Sequence, residues 1–73
     1  MPILQKRSLV LAGHRTSLAL EPEFWSALED AADLRGTSLA KLIEEIDAQR
    51  GAGPGALASA CRVFALMQTK KAR

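Results

Sequence analysis

Reactive side chains are scarce in this sequence. It has one cysteine, one histidine and no tyrosine among 73 residues. Cys61 stands alone and cannot form an internal disulfide, which points to a reducing compartment. Its neighbours Ala60, Val63 and Phe64 make it read as a buried small hydrophobe rather than a reactive thiol. His14 has no second ligand at metal spacing, so neither a metal nor a cofactor is expected. A nucleophile pair of His14 with Cys61 has nothing in the sequence to support it, and no glycine-rich phosphate loop joins a strand to a helix. Glu44, Glu45 and Asp47 fall on a helix face opposite the leucines, a solvated surface rather than an acid–base pair. An enzyme is not expected. Long apolar runs are missing too: none approaches the ~20 residues of a membrane span, and Leu9-Val10-Leu11-Ala12 behind Lys6-Arg7 is too short for a signal-peptide core. The expectation is a cytoplasmic protein with no membrane contact.

Acids are absent from both ends. All eight lie between residues 21 and 50, with Arg35, Lys41 and Arg50 among them. The first twenty residues carry Lys6, Arg7 and Arg15, and residues 51–73 carry Arg62, Lys70, Lys71 and Arg73. The net charge of +2 therefore hides a basic start and end on an acidic middle, as in a body that offers one face to a polyanion. An apolar fraction of 48% rules out a disordered tail and exceeds what a small solitary core can use, so an oligomer is expected.

Residues 14–20 alternate with period two. Thr16, Leu18 and Leu20 share one face, and Arg15, Ser17 and Ala19 the other. Residues 7–12 are β-prone and read either as a separate short strand or as an arm continuing the first, with Gly13 permitting a bulge or bend. A first helix is expected over about 22–35, with Pro22 at its first position, Glu21 and Glu23 at the positive end of its dipole and Gly36 as a left-handed terminator. Its inward stripe is read as Phe24, Ala27, Leu28, Ala31 and Leu34, flanked by Trp25 and Ala32. A second helix over about 38–50 places Leu39, Leu42, Ile43 and Ile46 at helical spacing. Gly51-Ala52-Gly53-Pro54-Gly55 breaks any helix and serves as a hinge over 51–55. A third helix over 56–68 carries Leu57, Ala60, Cys61, Phe64 and Met67, with Val63 and Leu66 on a second apolar flank, and residues 69–73 form a basic tail. Residues 1–13 are then an N-terminal arm or extra strand, and 14–50 the core unit.

A single strand before two helices has no partner in its own unit, and its open edges are a template for a second copy. The expected architecture is mainly α: one strand and two helices plus a third helix, in an intertwined homodimer with an intersubunit antiparallel β-ribbon. Thr16, Leu18, Leu20, Phe24, Leu28, Leu42, Ile43 and Ile46 would form the shared core. Such a ribbon can enter a DNA major groove. Arg15 and Ser17 are side chains of the kind that reach base edges. The first turn of the second helix, Thr37-Ser38-Leu39-Ala40-Lys41, has no acid and no capping box but a cation where the dipole disfavours one. It reads as a vacant anion site that DNA phosphate would fill.

Arg15-Thr16-Ser17-Leu18-Ala19-Leu20, then Pro22-Glu23-Phe24, then Gly36-Thr37-Ser38-Leu39, resemble the ribbon-helix-helix family, the fold of the Arc and methionine repressors. The resemblance covers roughly residues 14–50. With Ala58-Ser59-Ala60-Cys61-Arg62-Val63-Phe64, the chain looks like a group of short bacterial members. It implies a homodimeric, sequence-specific binder of double-stranded DNA acting as a transcriptional regulator or repressor. The family's base-reading positions fall on Arg15, Ser17 and Ala19, and its phosphate-clamping helix start on Thr37, Ser38 and Leu39. Lys6, Arg7, His14 and Lys41 are further phosphate candidates. Ala19 departs from the pattern, since many members have a long polar side chain there and alanine offers only a methyl contact. The alternative is an antitoxin-like or adaptor protein that engages a protein partner through residues 56–73; a dimerisation module without DNA binding is a third reading.

Overall fold

The computed structural model describes residues 3–49 and 56–71. Two strands, β1 (Gln5–Leu11) and β2 (His14–Leu20), precede three helices, α1 (Pro22–Arg35), α2 (Leu39–Gln49) and α3 (Ala56–Lys71). The hinge expected over 51–55 lies outside the described residues.

The expectation that strand 14–20 has nothing in its own chain to pair with is corrected. β1 and β2 form an antiparallel hairpin, in register from Gln5 opposite Leu20 to Leu11 opposite His14. The turn is Ala12-Gly13, with φ of 51° and 83°. Positive φ at both central residues is the requirement of a type I′ turn, whose twist matches that of the strands it joins. The backbone groups of β2 on this side are thus satisfied within the chain. A second copy could only extend the ribbon along an outer edge; it is not needed to create it.

Glu21 caps α1 through its carbonyl, which accepts the Phe24 and Trp25 N–H groups at 2.9 and 3.2 Å, ahead of Pro22 in the first turn. Gly36 ends the helix at φ 67°, where its N–H reaches the Asp33 carbonyl and the Thr37 N–H the Ala32 carbonyl. This is a Schellman termination, which an L-side chain at Gly36 would strain.

The core is built from all five elements. Leu11, Leu18 and Leu20 descend from the hairpin, Trp25, Leu28, Ala31 and Ala32 come from α1, Leu42, Ile43 and Ile46 from α2, and Cys61 and Ala65 from α3. Six residues assigned to a two-chain core, Leu18, Leu20, Leu28, Leu42, Ile43 and Ile46, are therefore buried within one chain, while Thr16 and Phe24 are half-buried. Each large aliphatic among them contributes about 1.5–3 kcal/mol by leaving water. β1 lies against α2 and β2 against α3, and the three helices pack on one another.

Two helical stripes and one helix end differ from their sequence reading. On α1, Trp25 takes the centre and Leu34 is turned out, 84% exposed, because at ~100° per residue it lies about 200° around the helix from the buried Ala32. On α3, Ala65 is buried in place of Met67, and Val63, Leu66 and Met67 remain largely exposed. The helix also continues through the expected tail to Lys71, with the Thr69 hydroxyl donating to the Ala65 carbonyl at 3.1 Å.

Candidate nucleic-acid interface

Period-two pleating on a fixed register decides what the hairpin shows to solvent. Arg15, Ser17 and Ala19 of β2 point away from the core, as the alternation required, and their cross-strand partners are Val10, Ser8 and Lys6. The outer face is thus a ladder of three pairs. Val10 with Arg15 lies nearest the turn, Ser8 with Ser17 in the middle, and Lys6 with Ala19 at the far end. All but Ala19 are exposed, and neither strand contains an acid. Two cations and two hydroxyls on a narrow ribbon form a donor-rich surface with no carboxylate to quench it.

Arg7 does not belong to that surface. It was paired with Lys6 as a phosphate contact, but adjacent strand residues point to opposite faces. Its guanidinium lies 4.6 Å from the Trp25 ring centroid and donates to Glu29 Oε2 at 3.1 Å. The Trp25 indole N–H in turn donates to the Gln5 carbonyl at 2.9 Å, so Arg7 and Trp25 together pin β1 onto α1.

The turn is pinned to α2. The Ala12 N–H donates to Glu44 Oε2 at 2.8 Å, and Glu44 Oε1 lies 3.7 Å from the Lys41 ammonium. At the start of α2 the Ser38 hydroxyl accepts the Lys41 N–H at 3.1 Å, a side-chain N-cap. Thr37 and Leu39 are half-buried and Lys41 is exposed. A shallow depression here is bordered by Thr37, Ser38 and Leu39, but also by Glu29, Asp30 and Asp33. The donors expected from the sequence are present; the three carboxylates beside them oppose an anion and were not foreseen. His14 is exposed beside the turn, opposite Leu11.

Against this geometry stands the comparison with known proteins. Residues 4–69 match the model of the ribbon-helix-helix domain. The chain belongs to the ribbon-helix-helix family. Searches of curated proteins and of solved structures return no significant match. Ribbon-helix-helix domains generally bind DNA as transcription regulators, typically form homodimers and are typically not enzymes.

Two further groups of this ribbon-helix-helix chain bear on its chemistry. Glu21, at the junction of β2 and α1, accepts from Arg62 Nε of α3 at 2.9 Å. That hydrogen bond, with a smaller backbone contribution, holds its carboxyl below the usual carboxylate range against the opposing effect of burial. Burial pushes the Cys61 thiol up to about 11, aided by the nearby charge of Asp47 and opposed by Arg62, so it stays protonated at neutral pH. Among the described residues no group of His, Cys, Asp and Glu could hold a metal ion, and no helix is long and apolar enough to cross a membrane.

Sequence reasoning missed Ser8 and Val10 on the outer face and Glu44 as the anchor of the turn. The signal for the first two was present. A two-residue turn at Ala12-Gly13 mirrors the alternation of 14–20 back onto 5–11.

Proposed function

We propose that the protein is a homodimeric, sequence-specific binder of double-stranded DNA that regulates transcription by laying its β-ribbon into the major groove. The observation that carries this reading is the acid-free outer face of the hairpin, with Arg15 and Ser17 projecting from it. A major groove about 12 Å wide admits a two-stranded ribbon, and arginine is the commonest partner of guanine O6 and N7. Arg15 and Ser17 are assigned to base edges, with Ala19 in reach of a thymine methyl. His14 and the start of α2 (Thr37, Ser38, Leu39 and Lys41) are assigned to flanking phosphate, which their N–H groups, hydroxyls and ammonium suit. Glu29, Asp30 and Asp33 set a limit on how strongly that helix start can hold an anion. Arg7 is left out of the interface because Glu29 and Trp25 already engage it.

The test is a selection of bound sequences from random duplex DNA, with ultracentrifugation of the free protein and the complex. An enriched motif bound by a dimer is expected, and Arg15→Ala should lose about 1–3 kcal/mol on it and relax one position of it. No enrichment, or binding by a single chain, would overturn the corresponding half of the proposal. The exposure of Val63, Leu66 and Met67 on α3 favours a second reading, in which this helix engages a protein partner.

A further inference from the structure

The reading ladder is short of donors at one end. On β2 the outward side chains run Arg15, Ser17, Ala19, and the third has no polar atom. Directly across from Ala19 stands Lys6, exposed, its side chain with no hydrogen bond or ion pair among the described residues. Directly opposed strand residues have Cβ atoms about 4.5–5.5 Å apart, and a methyl neighbour leaves the lysine stem unobstructed. From Arg15 to Ala19 is four residues of strand, about 13 Å of ribbon at ~3.3 Å each. That is close to the rise of four base pairs at about 3.4 Å per step along one DNA strand.

We infer that β1 is a second reading strand and that Lys6 makes the base contact Ala19 cannot. Both strands of the reading ribbon then come from one chain, with Arg15 and Lys6 as its two cationic readers at opposite ends of one face. The preferred partner for each is guanine, whose O6 and N7 accept from either side chain. Ser8 and Ser17, paired in the middle, supply weaker and less selective contacts. This separates Lys6 from Arg7 by role as well as by face, although the two are adjacent in sequence.

The inference rests on the proposed reading that the outer hairpin face enters the major groove, and the test tells the two apart. Sequence selection and salt titrations are run on the full chain and on Lys6→Ala, Arg15→Ala and the swap Lys6→Ala/Ala19→Lys. The three positions changed all lie on the outer face of the hairpin, and unchanged melting curves confirm that each variant folds. Lys6→Ala should lose roughly 10-fold discrimination at one position of the motif, about four base pairs from the position that Arg15→Ala relaxes. The swap returns the ammonium to the same end of the face and should restore a guanine preference there. If Lys6→Ala weakens all sequences alike and lowers the salt slope by about one, Lys6 holds phosphate and the inference fails while the DNA reading stands. An unchanged motif and affinity would mean that Lys6 touches neither base nor phosphate, and the inference fails in that case too. If the unsubstituted chain selects no sequence, the underlying reading fails and takes this inference with it.

Discussion

Replacing Arg7 by alanine should cost stability and leave DNA binding nearly untouched. The substitution removes an ion pair at 3.1 Å whose side chains are 37% and 51% exposed, so that pair is worth about 0–1 kcal/mol. It also removes the guanidinium 4.6 Å from the Trp25 centroid, worth about 0.5–1 kcal/mol at a half-exposed site. The expected total is about 1 kcal/mol, which for a chain of this size lowers Tm by roughly 4–8 °C. Trp25 is the one tryptophan and is buried, with its indole N–H on the Gln5 carbonyl, so its fluorescence reports directly on the seating of the hairpin. Urea unfolding followed by that fluorescence and by circular dichroism gives the stability change, and duplex titrations across salt concentrations give the binding change. Arg7→Lys should recover only part of the loss, because an ammonium lacks the planar stack. Unchanged stability, together with weaker binding to all sequences and a salt slope smaller by about one, would refute this reasoning and return Arg7 to the phosphate backbone.

Ala12 holds a left-handed φ of 51° that costs an L-residue about 1–2 kcal/mol. Ala12→Asn, which supplies the Asn-Gly pair favoured in this turn, should raise stability by about 0.5–1 kcal/mol in urea titrations, and a fall would count against the turn assignment. The folded carboxyl of Glu21 is held below 4.5, so its contribution is present above the unfolded value and disappears as pH falls through the folded one. The Tm gap between the unsubstituted protein and Glu21→Gln should therefore be open near neutrality and close as the pH falls below the usual carboxylate range. A gap that persists in strong acid would assign the effect to packing rather than to the Arg62 contact.

The helices were legible because their signals are local. Pro22 at the start, Gly36 at the end and the spacing of Leu42, Ile43 and Ile46 each specify a boundary or a face without reference to the rest of the chain. The hairpin was half legible. The alternation of 14–20 assigned its faces, but Ala12-Gly13 lacks the asparagine or aspartate that usually announces such a turn, and Arg7 on the core-facing side obscures the pattern of 5–11. Of the outer face, the β2 half could be placed from its own alternation, whereas the β1 half followed only once Ala12-Gly13 was recognised as the turn that sets the register. The carboxylates beside the start of α2 come from α1, a tertiary juxtaposition with no counterpart in local spacing. Leu34 and Met67 were misplaced for a related reason: apolar residues surround much of each helix, and only tertiary packing chose the stripes centred on Trp25 and Ala32 and on Cys61 and Ala65.

The two-residue turn makes the hairpin intolerant of changes in length. Lys6, Ser8 and Val10 face outward, and Arg7, Leu9 and Leu11 inward, only because β1 meets β2 in one register. Inserting or deleting one residue within β1 would exchange the two sets beyond that point, putting leucine into solvent and lysine against the core. A lineage of such proteins can therefore acquire new binding preferences by substitution at the outer positions of 6–19, one side chain at a time. Insertions there would destroy the fold before they altered its choice of partner. Variation in length should instead gather outside the hairpin, where no pleat ties one residue's direction to the next.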